Sequence, residues 1–103
     1  MIINLMPHAL VICPGDIVVQ SSGVARCTTV TSPAGDHLGV PLTVVSYGAV
    51  EGLPGPLLGV LYVVSGLVRA AVPDRRDVAS PGELVRDSKG AVVGCKNLVV
   101  NAG

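Results

Sequence analysis

The chain reads as a mainly β protein: a small antiparallel barrel or sandwich with one short helix at about residues 66–72. Three observations carry that reading. Valine leads the hydrophobic residues, which make up 50% of a sequence with no Trp or Phe and two Tyr. A β-branched side chain suits a pleated surface better than a helix. Thirteen glycines and eight prolines cut the apolar residues into short runs, the pattern of strands joined by tight turns. One segment alone reads as helix, because Ser65 can cap it and Pro73 stops it. The 103 residues make a single domain, residues 1–103, with a thin core.

Residues 2–6 form a first strand, which Pro7 breaks. Residues 9–13 and 17–20 flank the turn tripeptide Pro14-Gly15-Asp16 and make a hairpin. Ser21-Ser22-Gly23 turns the chain again. Residues 24–31 alternate weakly and are rich in β-branched side chains, as in a half-exposed strand. Residues 32–39, SPAGDHLG, read as a loop. Residues 40–50 give a strand pair or one long bent strand, with Pro41 at its start and Gly48 at a bulge. Residues 51–59 hold too many prolines and glycines for regular structure and form an ordered surface loop.

Residues 60–64 are the most apolar strand and the central one. The short helix follows, then the charged loop Asp74-Arg75-Arg76-Asp77 and the turn Ser80-Pro81-Gly82. Residues 83–87 and 91–95 pair as a hairpin around Ser88-Lys89-Gly90. Residues 97–100 add an edge strand and residues 101–103 a tail.

Net charge is zero, which argues against direct binding of a nucleic-acid backbone. A small anion needs only a few well-placed arginines and stays open. Cys13, Cys27 and Cys95 form no CxxC and no Cys/His cluster, so free buried thiols are expected, with no metal and no cofactor. Residues 2–12 are apolar but interrupted by Asn4, Pro7 and His8, and no run is long enough to span a bilayer. A soluble protein of a reducing cytoplasm is expected.

The candidate site residues are polar groups set among apolar ones. Arg75, Arg76, Asp77, Arg86 and Asp87 combine the fork of arginine, suited to phosphate or carboxylate, with aspartates that orient it or accept from hydroxyls. A solvated loop with surface ion pairs is the plainer alternative. His8 follows a proline, with Asn4 nearby, and could donate to a phosphate or move a proton; its alternative is a histidine satisfied by backbone groups. Tyr47, beside Gly48, could stack on a base, whereas Tyr62 suits a core. Ser65-Gly66 places a hydroxyl and N–H groups at a helix start. There is no GxSxG, P-loop or GxGxxG.

Taken together, Ile3-Asn4-Leu5-Met6-Pro7-His8, Tyr47-Gly48, Glu51-Gly52-Leu53-Pro54, Leu61-Tyr62-Val63-Val64-Ser65 and Pro81-Gly82-Glu83-Leu84-Val85-Arg86-Asp87 resemble a family of small proteins of bacteriophages, prophages and bacteria. Its members open on an INLTPH-type strand and carry YIVS-like and VRD segments. Met6 stands where that family usually has threonine. The resemblance covers nearly the whole chain and implies a phage-type origin more strongly than an activity.

Three functions follow as expectations. The first is a non-catalytic phage accessory protein that binds a nucleotide-like anion, such as a host defence signal, in the host cytoplasm. Asn4, His8, Tyr47, Ser65, Arg75, Arg76, Asp77, Arg86 and Asp87 would form its site. The second is a structural virion protein, such as a capsid decoration component, with other capsid proteins as partners. The third is a small enzyme using His8 as acid or base. A thin core with sheet edges to cover also implies a homo-oligomer.

Overall fold

The computed structural model describes residues 1–13 and 17–102. The chain is mainly β, as its composition predicts. Its elements are β1 (Ile2–Asn4), β2 (Leu10–Ile12), β3 (Ile17–Val19), β4 (Arg26–His37), β5 (Val40–Glu51), β6 (Leu61–Val63), α1 (Gly66–Ala71), β7 (Val78–Pro81), β8 (Leu84–Arg86), β9 (Val92–Cys95) and β10 (Leu98–Val100). One four-stranded sheet has the order β1-β6-β7-β10 and a second the order β3-β2-β9-β8, while β4 and β5 pair only with each other.

The core follows from the two-residue period of the strands. In the first sheet Ile3, Leu5, Tyr62, Val64 and Val78 point to one side, where they meet Val68 of α1 and the base of the β4–β5 hairpin through Cys27 and Val50. Ile2, Val63 and Leu98 point to the other side and pack on Leu10, Ile12, Val19 and Cys95 of the second sheet. The central position of β6 is what its uninterrupted apolar sequence predicts.

The two sheets are joined at two places. A bridge pairs Asn4 with Ser21 at one edge. At the other, the β7–β8 and β9–β10 corners run together, with Gly82 N–H donating to Asn97 O at 2.9 Å and Lys96 N–H to Glu83 O at 2.8 Å. Glycine suits that corner, because a Cβ on Gly82 would press on the Asn97 side-chain amide.

Several expectations need correction. Among the described residues no barrel closes; the arrangement is sandwich-like. Pairing is mainly antiparallel, as expected, but three pairs are parallel: β1 with β6, β6 with β7, and β2 with β9. The parallel β6–β7 pair needs a crossover, and residues 64–77 supply it with α1 inside. Strand β7 escaped the sequence reading because it is short, follows four charged loop residues and ends in the turn-like Ser80-Pro81. Asn101 is not simply part of a tail, since its Nδ2 donates to Arg69 O, Val72 O and Arg75 O at 2.9–3.3 Å, and Gly103 lies outside the described residues. Asn101 Oδ1 accepts from Arg69 Nη1 at 3.0 Å, and Arg69 Nε donates to the buried Ser80 hydroxyl at 2.7 Å.

The helix starts and stops as expected. Ser65 is its N-cap and accepts from Val68 N–H, and Val72 is its C-cap, one residue inside Pro73. The hairpins at β2–β3 and β8–β9 are present, although the Pro14-Gly15-Asp16 turn lies outside the described residues. Cys13, Cys27 and Cys95 are free thiols; only Cys95 is fully buried.

The largest departure is residues 32–39. Residues 32–37 form the outer half of β4 rather than a loop, and the turn is only Leu38-Gly39 between the paired residues His37 and Val40. Both turn residues have positive φ, +50° at Leu38 and +82° at Gly39, as a type I′ turn requires. The expected bulge is present: three steps of β5, from Tyr47 to Val50, lie against two steps of β4, from Cys27 to Thr29. Glycine fits there, because a Cβ on Gly48 would clash with Thr28 Oγ1.

Candidate functional site

The nine candidate residues do not converge. Asn4 is fully buried. Its Nδ2 donates to His8 O at 2.8 Å and Val19 O at 3.0 Å, and its Oδ1 accepts from Met6 N–H at 2.9 Å. All the side chain's bonding groups are engaged, and they tie β1 to the second sheet. Ser21 extends the same knot, donating through its hydroxyl to Met6 O at 2.6 Å. The Asn-Leu-Met-Pro-His segment is therefore a structural corner.

Arg75 and Asp77 form a forked pair, Nε to Oδ1 and Nη2 to Oδ2, both at 2.8 Å. Nη2 also donates to Pro54 O at 2.9 Å, and the hydroxyl of buried Tyr62 donates to Gly55 O at 3.2 Å. Together they pin the 52–60 loop to the body. The hydrogen bonds from Arg75 lower the Asp77 pKa and raise that of Arg75. Arg76, next to them, is exposed.

Arg86 and Asp87 organise the β8–β9 turn. Arg86 Nη1 donates to Gly90 O at 2.9 Å, while Asp87 Oδ1 accepts from Lys89 N–H at 2.9 Å and Ala91 N–H at 3.0 Å. This is the aspartate-led turn chemistry that its sequence encodes. Tyr47 lies on β5, opposite Thr29 and 47% exposed.

Only His8 and Ser65 meet at one concavity, an open groove of about 690 Å³. Its other walls are mostly apolar, among them Met6, Val11, Leu84, Val92 and Val93. The Ser65 hydroxyl already caps α1. His8 is exposed, with Nδ1 3.1 Å from Ala9 O. Among the described residues no group of three or more His, Cys, Asp or Glu could hold a metal ion. No helix is long and apolar enough to cross a membrane.

The feature that the sequence reading missed is the β4–β5 arm. Twelve residues of strand reach about 40 Å at ~3.3 Å per residue. The whole molecule measures 50 × 39 × 24 Å, and its radius of gyration, 16.1 Å, exceeds the roughly 13 Å of a compact 100-residue domain. Between Arg26 and Glu51, which pair at the base, the arm carries Asp36 as its only formal charge. Val30, Val40, Leu42, Val44, Val45 and Tyr47 are all exposed along it, and Leu38 at its tip is 92% exposed. The available signal was the near absence of charge across residues 27–50; the Ser-Pro-Ala-Gly-Asp composition of residues 32–36 obscured it.

Comparison of the chain with protein-family models, curated proteins and solved structures gives no significant match.

Proposed function

We propose that this chain is a non-catalytic assembly protein, a structural component of a phage-type particle, and that the β4–β5 arm is its assembly element. The arm is the observation that carries the reading. A two-stranded ribbon is marginal by itself in water, and exposed apolar surface beyond a few hundred Å² marks an interaction site. Leu38 adds to this support. It occupies a left-handed backbone position with its side chain in solvent, locally unfavourable on both counts and consistent with a role in contact. The resemblance to phage and prophage proteins supplies the setting. The small-anion reading has less behind it, because Arg75 and Arg86 both direct donors at the chain itself.

Particle incorporation tests the proposal. The wild-type chain should co-purify with particles in a fixed ratio by quantitative mass spectrometry. Leu42→Lys, at an exposed position with little expected effect on folding, should lower that ratio while the circular dichroism spectrum is kept. Absence of the chain from particles overturns the reading. So does a nucleotide-induced rise in Tm that Arg86→Ala abolishes, which would restore the small-anion site.

A further inference from the structure

We propose that the occupant of the arm is a second copy of this chain, paired antiparallel along the outer edge of β5 between Leu42 and Tyr47. This rests on the assembly reading and names its partner. Four features of the arm point to it.

The first is the contrast between the two edges. Residues 42–47, Leu-Thr-Val-Val-Ser-Tyr, contain no charge, no proline and no glycine. They are bounded by Pro41 on one side and the Gly48 bulge on the other. Such a run of β-formers with unpaired backbone N–H and C=O groups is a template for strand addition. On β4, Pro33 removes a donor, and the register shift between Pro33 and Asp36 disrupts the ladder. The rest of that edge, residues 28–32, is Thr and Ser around Val30.

The second is symmetry. A strand paired antiparallel with its own mate lies on a two-fold axis, so the contact closes instead of propagating. The broken β4 edge then stops further addition, which makes a dimer the outcome and not a fibre.

The third is charge. Two arms carry only Asp36 between their bases, and it lies near the tip, away from residues 42–47. Nothing repels the two edges, and nothing on them selects a charged partner.

The fourth is strand number. Pairing converts two marginal ribbons into one four-stranded sheet, which passes the strand number needed for independent stability.

Sedimentation equilibrium on the full chain tests this. The wild type should be a dimer in the micromolar range. Val45→Lys and Val45→Glu should each be monomeric, through like charges brought together at the axis. Mixing the two variants should restore the dimer. Thr31→Lys, directly opposite Val45 on the same face of the arm, should remain dimeric, because edge pairing through β5 leaves β4 outside. A monomeric wild type overturns the proposal, and if that chain still enters particles the assembly reading survives with a different partner. A mixture that stays monomeric also overturns it. So does a Thr31→Lys variant as monomeric as Val45→Lys, which would mean that the arms meet through their faces.

Discussion

Replacing Asn4 with leucine tests whether the polar residues of the first corner serve the fold or a ligand. Leucine keeps the branched shape and heavy-atom count of the side chain and removes every hydrogen bond it makes. Three backbone groups then lose a partner: Met6 N–H, His8 C=O and Val19 C=O. Met6 is buried, so its N–H bears the full cost of an unmet donor, about 1–3 kcal/mol. The two carbonyls lie in partly buried bonds, and together they add about 1–2 kcal/mol. The expected loss is about 2–5 kcal/mol, against a total of about 5–15 kcal/mol for a domain of this size. At roughly 4–8 °C per kcal/mol, Tm should fall by roughly 8–40 °C. Urea unfolding followed by far-UV circular dichroism reads this directly, with an unchanged slope confirming that stability alone has moved. Asn4→Asp adds a pH signature. Its carboxylate would face the two carbonyls that the amide now serves, which raises the folded-state pKa above the unfolded value. The deficit relative to wild type should therefore be full at neutral pH and shrink as pH falls through that raised pKa. A loss below about 1 kcal/mol for Asn4→Leu would refute the reasoning and free Asn4 for a ligand.

Other perturbations test the remaining struts. Asn101→Ala removes the amide that three carbonyls around the end of α1 share and a partner of Arg69, so a loss of about 2–3 kcal/mol is expected in the same urea assay; a neutral result would return Asn101 to the status of a tail residue. Asp77→Asn should cost about 1–2 kcal/mol at pH 7 by breaking the forked pair with Arg75. Because Arg75 lowers the Asp77 pKa, this contribution is complete above the ordinary carboxylate range and is lost as pH falls through the lower folded value. The wild type should therefore lose more stability than the variant between about pH 5 and 2, and parallel curves would show that the pair contributes nothing. Leu38→Asn suits the type I′ turn better than leucine and should stabilise the arm by about 1 kcal/mol, read as slower amide exchange near His37 and Val40; unchanged exchange would argue against that turn geometry.

What could be read from the residues is what local chemistry decides. Ser65 and Pro73 bracket the helix because a cap and a ring that blocks helical geometry act within a few residues. Gly48 marks a bulge, and Ser88-Lys89-Gly90 lies between β8 and β9, for the same local reason. The apolar run of residues 60–64 announced a strand covered on both faces. Where a sequence favours two local outcomes, longer-range pairing decides. Residues 32–39 have the composition of a loop, yet β5 pairs with them almost to the tip. Strand β7 has little strand character of its own; burial of Val78 and Ala79 beside β6 makes it one.

The candidate site shows the same division more sharply. The residue types were sound choices for chemistry: an arginine fork, a presented histidine, an asparagine among apolar neighbours. Their partners are far away in sequence, and only the folded chain names them. Pro54 O takes a donor of Arg75, Val19 O one of Asn4, and the end of α1 the amide of Asn101. A buried polar group must find a partner, but sequence cannot say whether that partner is a ligand or a carbonyl brought in by another strand. The amino-acid sequence by itself determined a β-rich, net-neutral, thin-cored chain with one capped helix. Tertiary structure decided which polar groups satisfy one another and which apolar surface is left outside, because both depend on contacts that close only when distant segments pack.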